Sequence, residues 1–189
     1  MSAPIELALT PRPLERTGAE VAVVGFFTDE RPLRGGAARA DWRLCGGLSR
    51  RIESGELSGE SGEALLIGTG RALSAPRLLL VGLGDRAVYD RLRLTDESRQ
   101  ALDRARRLGC RHVALAPLGV AADDVPRHAA ALLAGIREAG REAPEGLVVS
   151  LCVPRGELPG IQRALEEARE AADADQIRIS LPESGAEAR

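Results

Sequence analysis

The sequence contains no lysine, so all 26 of its basic residues are arginine. The codon bias of a GC-rich genome accounts for this more simply than selection for guanidinium chemistry. Aromatic residues are almost missing too: two Phe, one Trp and one Tyr among 189 residues. Leu, Val, Ile and Ala must therefore fill the core, and a chain of this length can bury roughly 70% of its unfolded surface. The formal net charge of −2 gives no global pull toward nucleic acid or anionic membrane. No aromatics interleave with the arginines, which argues against stacking on single strands. No apolar run approaches the ~18 residues of a membrane span, and no charged-then-apolar leader opens the chain. Cytoplasmic residence is the expectation.

Several kinds of chemistry lack their residues. The three cysteines, Cys45, Cys110 and Cys152, are odd in number and form no Cys-x-x-Cys, so they are not a disulfide framework. Cys110 and Cys152 fall at or in predicted strands, where a free Cys acts as a small hydrophobe. Cys45 precedes Gly46-Gly47 near a helix start; a packed role is expected over an activated thiolate. Only two histidines occur, His112 and His128, expected at a strand edge and on a helix surface. No His-Glu-x-x-His and no Gly-x-Ser-x-Gly elbow is present. The carboxylates are expected on solvent-facing helix positions and in loops, so no metal site and no cofactor is expected.

What the chain does contain is regular alternation. Strands are predicted at Ile5–Leu9, Glu20–Phe27, Glu63–Thr69, Arg77–Leu83, His112–Ala116, Leu147–Val153 and Gln176–Ser180. Glu20–Phe27 is almost wholly apolar, as suits a strand covered on both faces. Helices are predicted at Ala38–Ile52, at Thr95–Leu108 with Thr95 as N-cap, at Val125–Ala139 and at Leu158–Ala172. Gly46 and Gly47 interrupt the first of these helices or mark its true start. Strands alternating with amphipathic helices predict an α/β sheet covered on both faces. The hairpin-like opening pair of strands predicts that the sheet is mixed. One domain over residues 1–181 is expected, with 182–189 as a tail.

The stretch Asp41–Gly84 carries the most information. It runs from Asp41 through Gly46-Gly47 and a SGELSGESGE spacer to LLLVGLGD at 78–85. This order resembles the N-terminal domain of leucyl aminopeptidases, the M17 peptidase family, over about residues 5–180. The resemblance implies a three-layer α/β/α macro-like fold with a mixed central sheet. The family's two-metal catalysis uses Lys, Asp and Glu side chains of a C-terminal domain, including an Asn-Thr-Asp-Ala-Glu-Gly-Arg segment. Nothing like that segment occurs in this chain, so the resemblance implies no aminopeptidase activity for it. The expected role is non-catalytic protein–protein association, with itself, with another partner or with an M17 catalytic subunit. Nucleic acid and membrane are not expected partners.

Two surfaces are candidates for function. Residues 86–111 hold eight arginines against four acids, and 157–175 hold six acids against two arginines. Arg99, Arg104, Arg106 and Arg107 are the expected docking residues. The alternative is a small-ligand module for an ADP-ribose-like or other phosphate-bearing compound, since glycine loops after strands can cradle phosphate. Gly-rich candidates are Arg34-Gly35-Gly36, Cys45-Gly46-Gly47, Gly68-Thr69-Gly70 and Gly82-Leu83-Gly84. Gly46, Gly47, Gly82 and Gly84 are the expected ligand residues, with 82–84 best placed at a strand's carboxyl end. The Asn-Ala-Ala-Asn segment that resembles macro-domain chemistry is absent after Glu20–Phe27, where Thr28-Asp29-Glu30 stands.

Overall fold

The computed structural model describes residues 5–141 and 146–181; the expected tail at 182–189 lies outside them. Among these residues seven strands form one sheet: β1 (Ile5–Thr10), β2 (Val21–Phe26), β3 (Ala64–Gly68), β4 (Arg77–Gly82), β5 (His112–Leu115), β6 (Leu147–Cys152) and β7 (Ile177–Ser180). Their order is β3-β4-β2-β5-β6-β1-β7. Every neighbouring pair is parallel except β3 with β4. The sheet is thus mixed, but not for the expected reason. β1 and β2 form no hairpin: β1 lies between β6 and β7, and β2 between β4 and β5. The antiparallel pair is β3–β4, whose short connection allows it, whereas parallel neighbours need crossovers.

Among the described residues five α-helices cover the sheet: α1 (Gly35–Arg43), α2 (Gly47–Glu53), α3 (Arg91–Arg107), α4 (Val125–Arg141) and α5 (Leu158–Ala171). Successive side chains of a strand point to opposite faces, and β2 shows both destinations. Val21 and Val23 join the core beneath α3, α4 and α5. Ala22, Val24 and Phe26 join the core beneath α1 and α2. Both cores are nearly all aliphatic, and Phe26 and Phe27 are among the largest fully buried side chains.

The single helix expected over Ala38–Ile52 is two. Cys45 and Gly46 take left-handed backbone conformations, with φ of 53° and 77°, and this turns the chain between α1 and α2. Asp41 fastens the corner. Its Oδ1 accepts the Leu48 and Ser49 amides at 2.8 and 3.1 Å, and its Oδ2 accepts the Ser49 hydroxyl. Cys45 is exposed rather than packed, whereas Cys110 and Cys152 are buried, and burial pushes the Cys152 thiol up to about 11. The helix α3 starts one turn before the expected Thr95. Asp90 is its N-cap, accepting the Arg93 amide at 2.9 Å. Thr95 instead donates its hydroxyl to the Arg91 and Ala131 carbonyls, tying α3 to α4.

Candidate functional site

The parallel strands β2 and β5 are neighbours whose following chains leave for opposite faces of the sheet. The chain after β2 enters α1 on one face, and the chain after β5 enters α4 on the other. Open α/β sheets bind ligands in the crevice at such a switch point. A cleft of about 280 Å³ lies there, lined by Phe27, Gly35, Gly36, Arg86, Gly119 and Val120 among others.

The walls of the cleft follow from a few contacts. Glu30 lies in the β2–α1 loop with its side chain only 6% exposed. Its Oε1 accepts the Arg34 amide at 2.9 Å, which satisfies the N-cap position of α1. Its Oε2 accepts the Arg86 guanidinium at 2.6 Å. Arg86 in turn lies over the Phe27 ring, 4.1 Å from its centroid, a cation–π geometry. Tyr89 packs edge-on against the same ring at 4.9 Å and donates its hydroxyl to the Leu118 carbonyl. Burial, then the charge of Glu97, raises the Tyr89 phenol well above its ordinary value. Gly119 closes the group: a side chain there would strike Phe27 and Tyr89 at 2.6 and 2.9 Å. One aromatic–arginine cluster therefore ties together the loops after β2, β4 and β5.

The first amides of an α-helix have no intrahelical acceptor. At α1 these belong to Gly35, Gly36 and Ala37, which line the cleft, and no acidic side chain stands in that first turn. They have no hydrogen-bond partner among the described residues. The end of the cleft near α1 thus offers N–H donors, the helix dipole and an arginine, a combination suited to an anion.

Of the glycine loops marked in the sequence, Arg34-Gly35-Gly36 lines the cleft, whereas the four glycines expected as ligand residues lie elsewhere. Each of the four N–H groups is already donated inside the chain: Gly46 to Asp41, Gly47 to Leu44, Gly82 to Glu63 and Gly84 to Gly59. Leu83 donates to Phe26 as well. Gly82 is instead a point of close approach. An added Cβ would meet the Gly59 carbonyl carbon and oxygen at 2.7 and 2.8 Å, and the Glu60 carbonyl closer still. The spacer lies against the Gly-Leu-Gly strand end, and Glu63 pins it by accepting the Ser58 and Gly59 amides at 2.9 and 2.8 Å and the Ser58 hydroxyl.

The expected arginine surface is partly engaged. Arg99 donates to Asp96 and Asp103 at 2.6 and 3.1 Å. Arg104 donates to the Gly62 carbonyl at 2.8 Å, so it braces the spacer. Arg106 lies 4.0 Å from Asp103, and Arg107 is exposed. The carboxylates are not confined to solvent-facing positions: Glu30, Glu97 and Asp103 are buried. Burial raises the Glu97 carboxyl, opposed by the Ser61 hydroxyl that hydrogen-bonds to it. His112, the first residue of β5, lies beside Ser150 at 2.8 Å. Among the described residues no cluster of three or more His, Cys, Asp or Glu is placed to hold a metal ion, and no helix is long and apolar enough to cross a membrane.

Comparison with known proteins gives this architecture a family. Residues 23–140, more than half of the chain, match the cytosol aminopeptidase family, N-terminal domain. The chain belongs to that family. A probable cytosol aminopeptidase of Paraburkholderia xenovorans is 31% identical over 83 residues, which is 44% of this chain and 16% of that protein. The chain thus spans only a small part of the length of such relatives, and the matched part is the N-terminal domain, not the catalytic one. Among solved structures, a tomato leucine aminopeptidase variant superposes with a TM-score of 0.66 at 16% identity, over 91% of this chain and 38% of that one. An Oceanobacillus iheyensis macrodomain with ADP gives 0.65 at 14% identity, over 86% of this chain and 91% of that one. At such identities the likeness shows the fold, a macrodomain-like α/β sheet, and nothing finer.

Proposed function

We propose that this M17 N-terminal domain is a non-catalytic binding module, and that it takes a small phosphate-bearing ligand in the cleft between β2 and β5. The observation that carries the reading is the convergence of the Gly35–Ala37 amides, the α1 N-terminus and Arg86 on one concave site at the switch point. The O. iheyensis macrodomain, of similar fold, has been solved with ADP. At about 280 Å³ the cleft falls just below the ~300–1,000 Å³ of drug-sized sites. It suits a phosphate or diphosphate group, with the rest of a nucleotide lying outside. Glu30 limits the charge of the site: its carboxylate already pairs with Arg86 at 2.6 Å, so affinity rests on the amides as much as on the guanidinium.

Thermal-shift measurements with ADP-ribose, ADP and inorganic phosphate test the reading. A ligand at 100 times its Kd adds about 2.7 kcal/mol, which for a chain of this size is a rise in Tm of roughly 5–10 °C. Ala121→Asp, at the exposed rim of the cleft, should abolish the shift and leave the unliganded Tm unchanged. No shift with any of the three compounds would remove the reading.

Protein association is the second reading, supported by surface apolar side chains. Trp42, Val88 and Leu92 are 77%, 63% and 79% exposed, in a chain with a single Trp. Val88 and Leu92 flank the start of the arginine-rich α3. A docking face there would centre on Val88 and Leu92; Arg107, at the opposite end of α3, would be a separate charged contact, since Arg99 and Arg104 are already engaged. Arg107→Glu should then weaken association with a partner, more so at low salt. Equal sedimentation of the two proteins with and without that partner would count against it.

A further inference from the structure

The sheet ends on an open edge. The outermost strand is β3, Ala-Leu-Leu-Ile-Gly, antiparallel to β4. The hydrogen bonds at its two ends fix the direction of its backbone groups. Gly82 donates to the Glu63 carbonyl, and Thr69 donates to the Pro76 carbonyl. Residues that exchange such bonds alternate along an antiparallel ladder, so Glu63, Leu65, Ile67 and Thr69 face β4. The N–H and C=O groups of Ala64, Leu66 and Gly68 therefore point away from the sheet. None of these six groups has a hydrogen-bond partner among the described residues.

Natural edge strands are usually blunted by a charge, a proline, a bulge or a covering element. β3 has no charge and no proline. Its five register partners on β4 run without a bulge. The space around it is open, since a Cβ added at Gly62, Gly68 or Gly70 would meet nothing within 4 Å. Leu65 and Ile67 pack onto the core on the α1 side, whereas Leu66, on the other face, is 40% exposed.

We infer that β3 pairs antiparallel with β3 of a second copy of this chain, about a twofold axis at Leu66. The register is self-complementary. With Leu66 opposite Leu66 of the partner copy, Ala64 falls opposite Gly68 and Gly68 opposite Ala64. All three are hydrogen-bonded pairs, so the six outward groups of one strand meet the six of the other and six bonds form. Shifting the register by one residue would set outward groups against inward ones. Two Leu66 side chains lie side by side and cover each other. The charges agree as well: exposed Glu60 lies before one end of the strand and exposed Arg71 after the other, and the antiparallel arrangement brings Glu60 of each copy to the end that carries Arg71. An isologous contact of this kind closes as a dimer with one continuous sheet across it. It involves neither the cleft nor α3, so it stands or falls separately from the ligand reading.

Sedimentation equilibrium of the whole chain tests the dimer. The native protein should approach twice the 20.0 kDa chain mass as concentration rises. Leu66→Arg sets two guanidinium groups face to face on the axis, and Leu66→Pro deletes an outward N–H that β4 does not use. Both should sediment as monomers with native circular dichroism. If the proline variant does not fold, the arginine variant alone decides. The register has its own test in a Cys45→Ser background. In hydrogen-bonded antiparallel pairs opposed Cα atoms lie ~5.5 Å apart, inside the range of a disulfide. Leu66→Cys should oxidise to a covalent dimer. Ala64→Cys should not, because the two Ala64 positions lie four residues apart along the ladder, about 14 Å. A native chain that stays monomeric up to about 1 mM, the weak limit of specific association, overturns the inference. So does a dimer untouched by Leu66→Arg, or one that Ala64→Cys crosslinks and Leu66→Cys does not.

Discussion

Gly82→Ala separates a packing role for the Gly-Leu-Gly strand end from a ligand role. A methyl group at this position would meet the Gly59 carbonyl carbon at 2.7 Å and its oxygen at 2.8 Å, with the Glu60 carbonyl nearer still. All three are backbone atoms, so no side-chain rotation can relieve the contact. Either the spacer lifts off the strand end or β4 moves. Lifting the spacer breaks the bonds that hold it there: Gly82 to the Glu63 carbonyl at 3.0 Å and Gly84 to the Gly59 carbonyl at 2.8 Å. Each such bond contributes about 1 kcal/mol net, and forcing a methyl into a packed site costs a further ~1–3 kcal/mol. The sum is about 3–5 kcal/mol.

Chemical denaturation of Gly82→Ala beside Gly18→Ala makes the measurement. Nothing lies within 4 Å of a Cβ added at Gly18, so that variant should match the native protein or exceed it slightly, by up to ~1 kcal/mol. Gly82→Ala should lose about 3–5 kcal/mol, equivalent to a fall in Tm of roughly 6–20 °C. Any phosphate-induced thermal shift should survive in whatever fraction stays folded. A Gly82→Ala protein within 1 kcal/mol of native stability would refute the packing account.

Three further outcomes follow from the same contacts. Burial pushes the Glu63 carboxyl up, but the Gly59 and Ser58 amides and the Ser58 hydroxyl outweigh it and hold the group below its ordinary value. Its stabilisation is therefore complete above ~pH 4.3, the unfolded value, and is lost as pH falls through the lower folded value. Glu63→Gln should cost about 1–2 kcal/mol at pH 7 and flatten the acid limb of a stability–pH curve; parallel curves would contradict this. Asp41→Ala orphans two amides and a hydroxyl at the α1–α2 corner and should cost about 2 kcal/mol in urea denaturation. Glu97 runs the other way: burial raises its carboxyl, so its favourable term is present at low pH and is lost as pH rises through the folded value. Glu97→Gln should raise Tm at pH 7 and not at pH 4, because the glutamine keeps an acceptor for Ser61 without a buried charge.

Much of the fold was legible because the strands are short apolar runs and the helices amphipathic, and both periods show in the residues. Every predicted strand and the last two helices form close to their expected bounds. Pairing was less legible. Ile5–Leu9 and Glu20–Phe27 look like a hairpin in sequence, but whether two neighbouring strands pair depends on which other strands compete for their edges, and β6, β7, β4 and β5 take them. The α1–α2 break was visible as two glycines. That Cys45 shares the left-handed turn was not, because only the closed corner around Asp41 imposes it.

The candidate site shows the same division. Glycines 46, 47, 82 and 84 are conspicuous because the chain needs them locally, and that need is why their amides are spent on the chain itself. The residues that shape the cleft carry no such signature. Phe27 follows β2 as any core residue might, and Glu30 and Arg86 lie 56 residues apart in sequence. Their meeting depends on β2 and β4 being neighbours, which follows only from the strand order. Arg34-Gly35-Gly36, a glycine pair directly before an amphipathic helix and after the most apolar strand, was among the candidate loops but ranked below Gly82-Leu83-Gly84. The Gly35-Gly36 pair opens α1 with no acceptor for its amides, whereas the Gly46-Gly47 pair opens α2 with its amides taken by the Asp41 and Leu44 carbonyls, and the loop at 82–84 gives the polar spacer beside it acceptors and donors. Between two glycine loops after strands, the one whose own residues form the first turn of a helix is therefore the better place to look for a ligand.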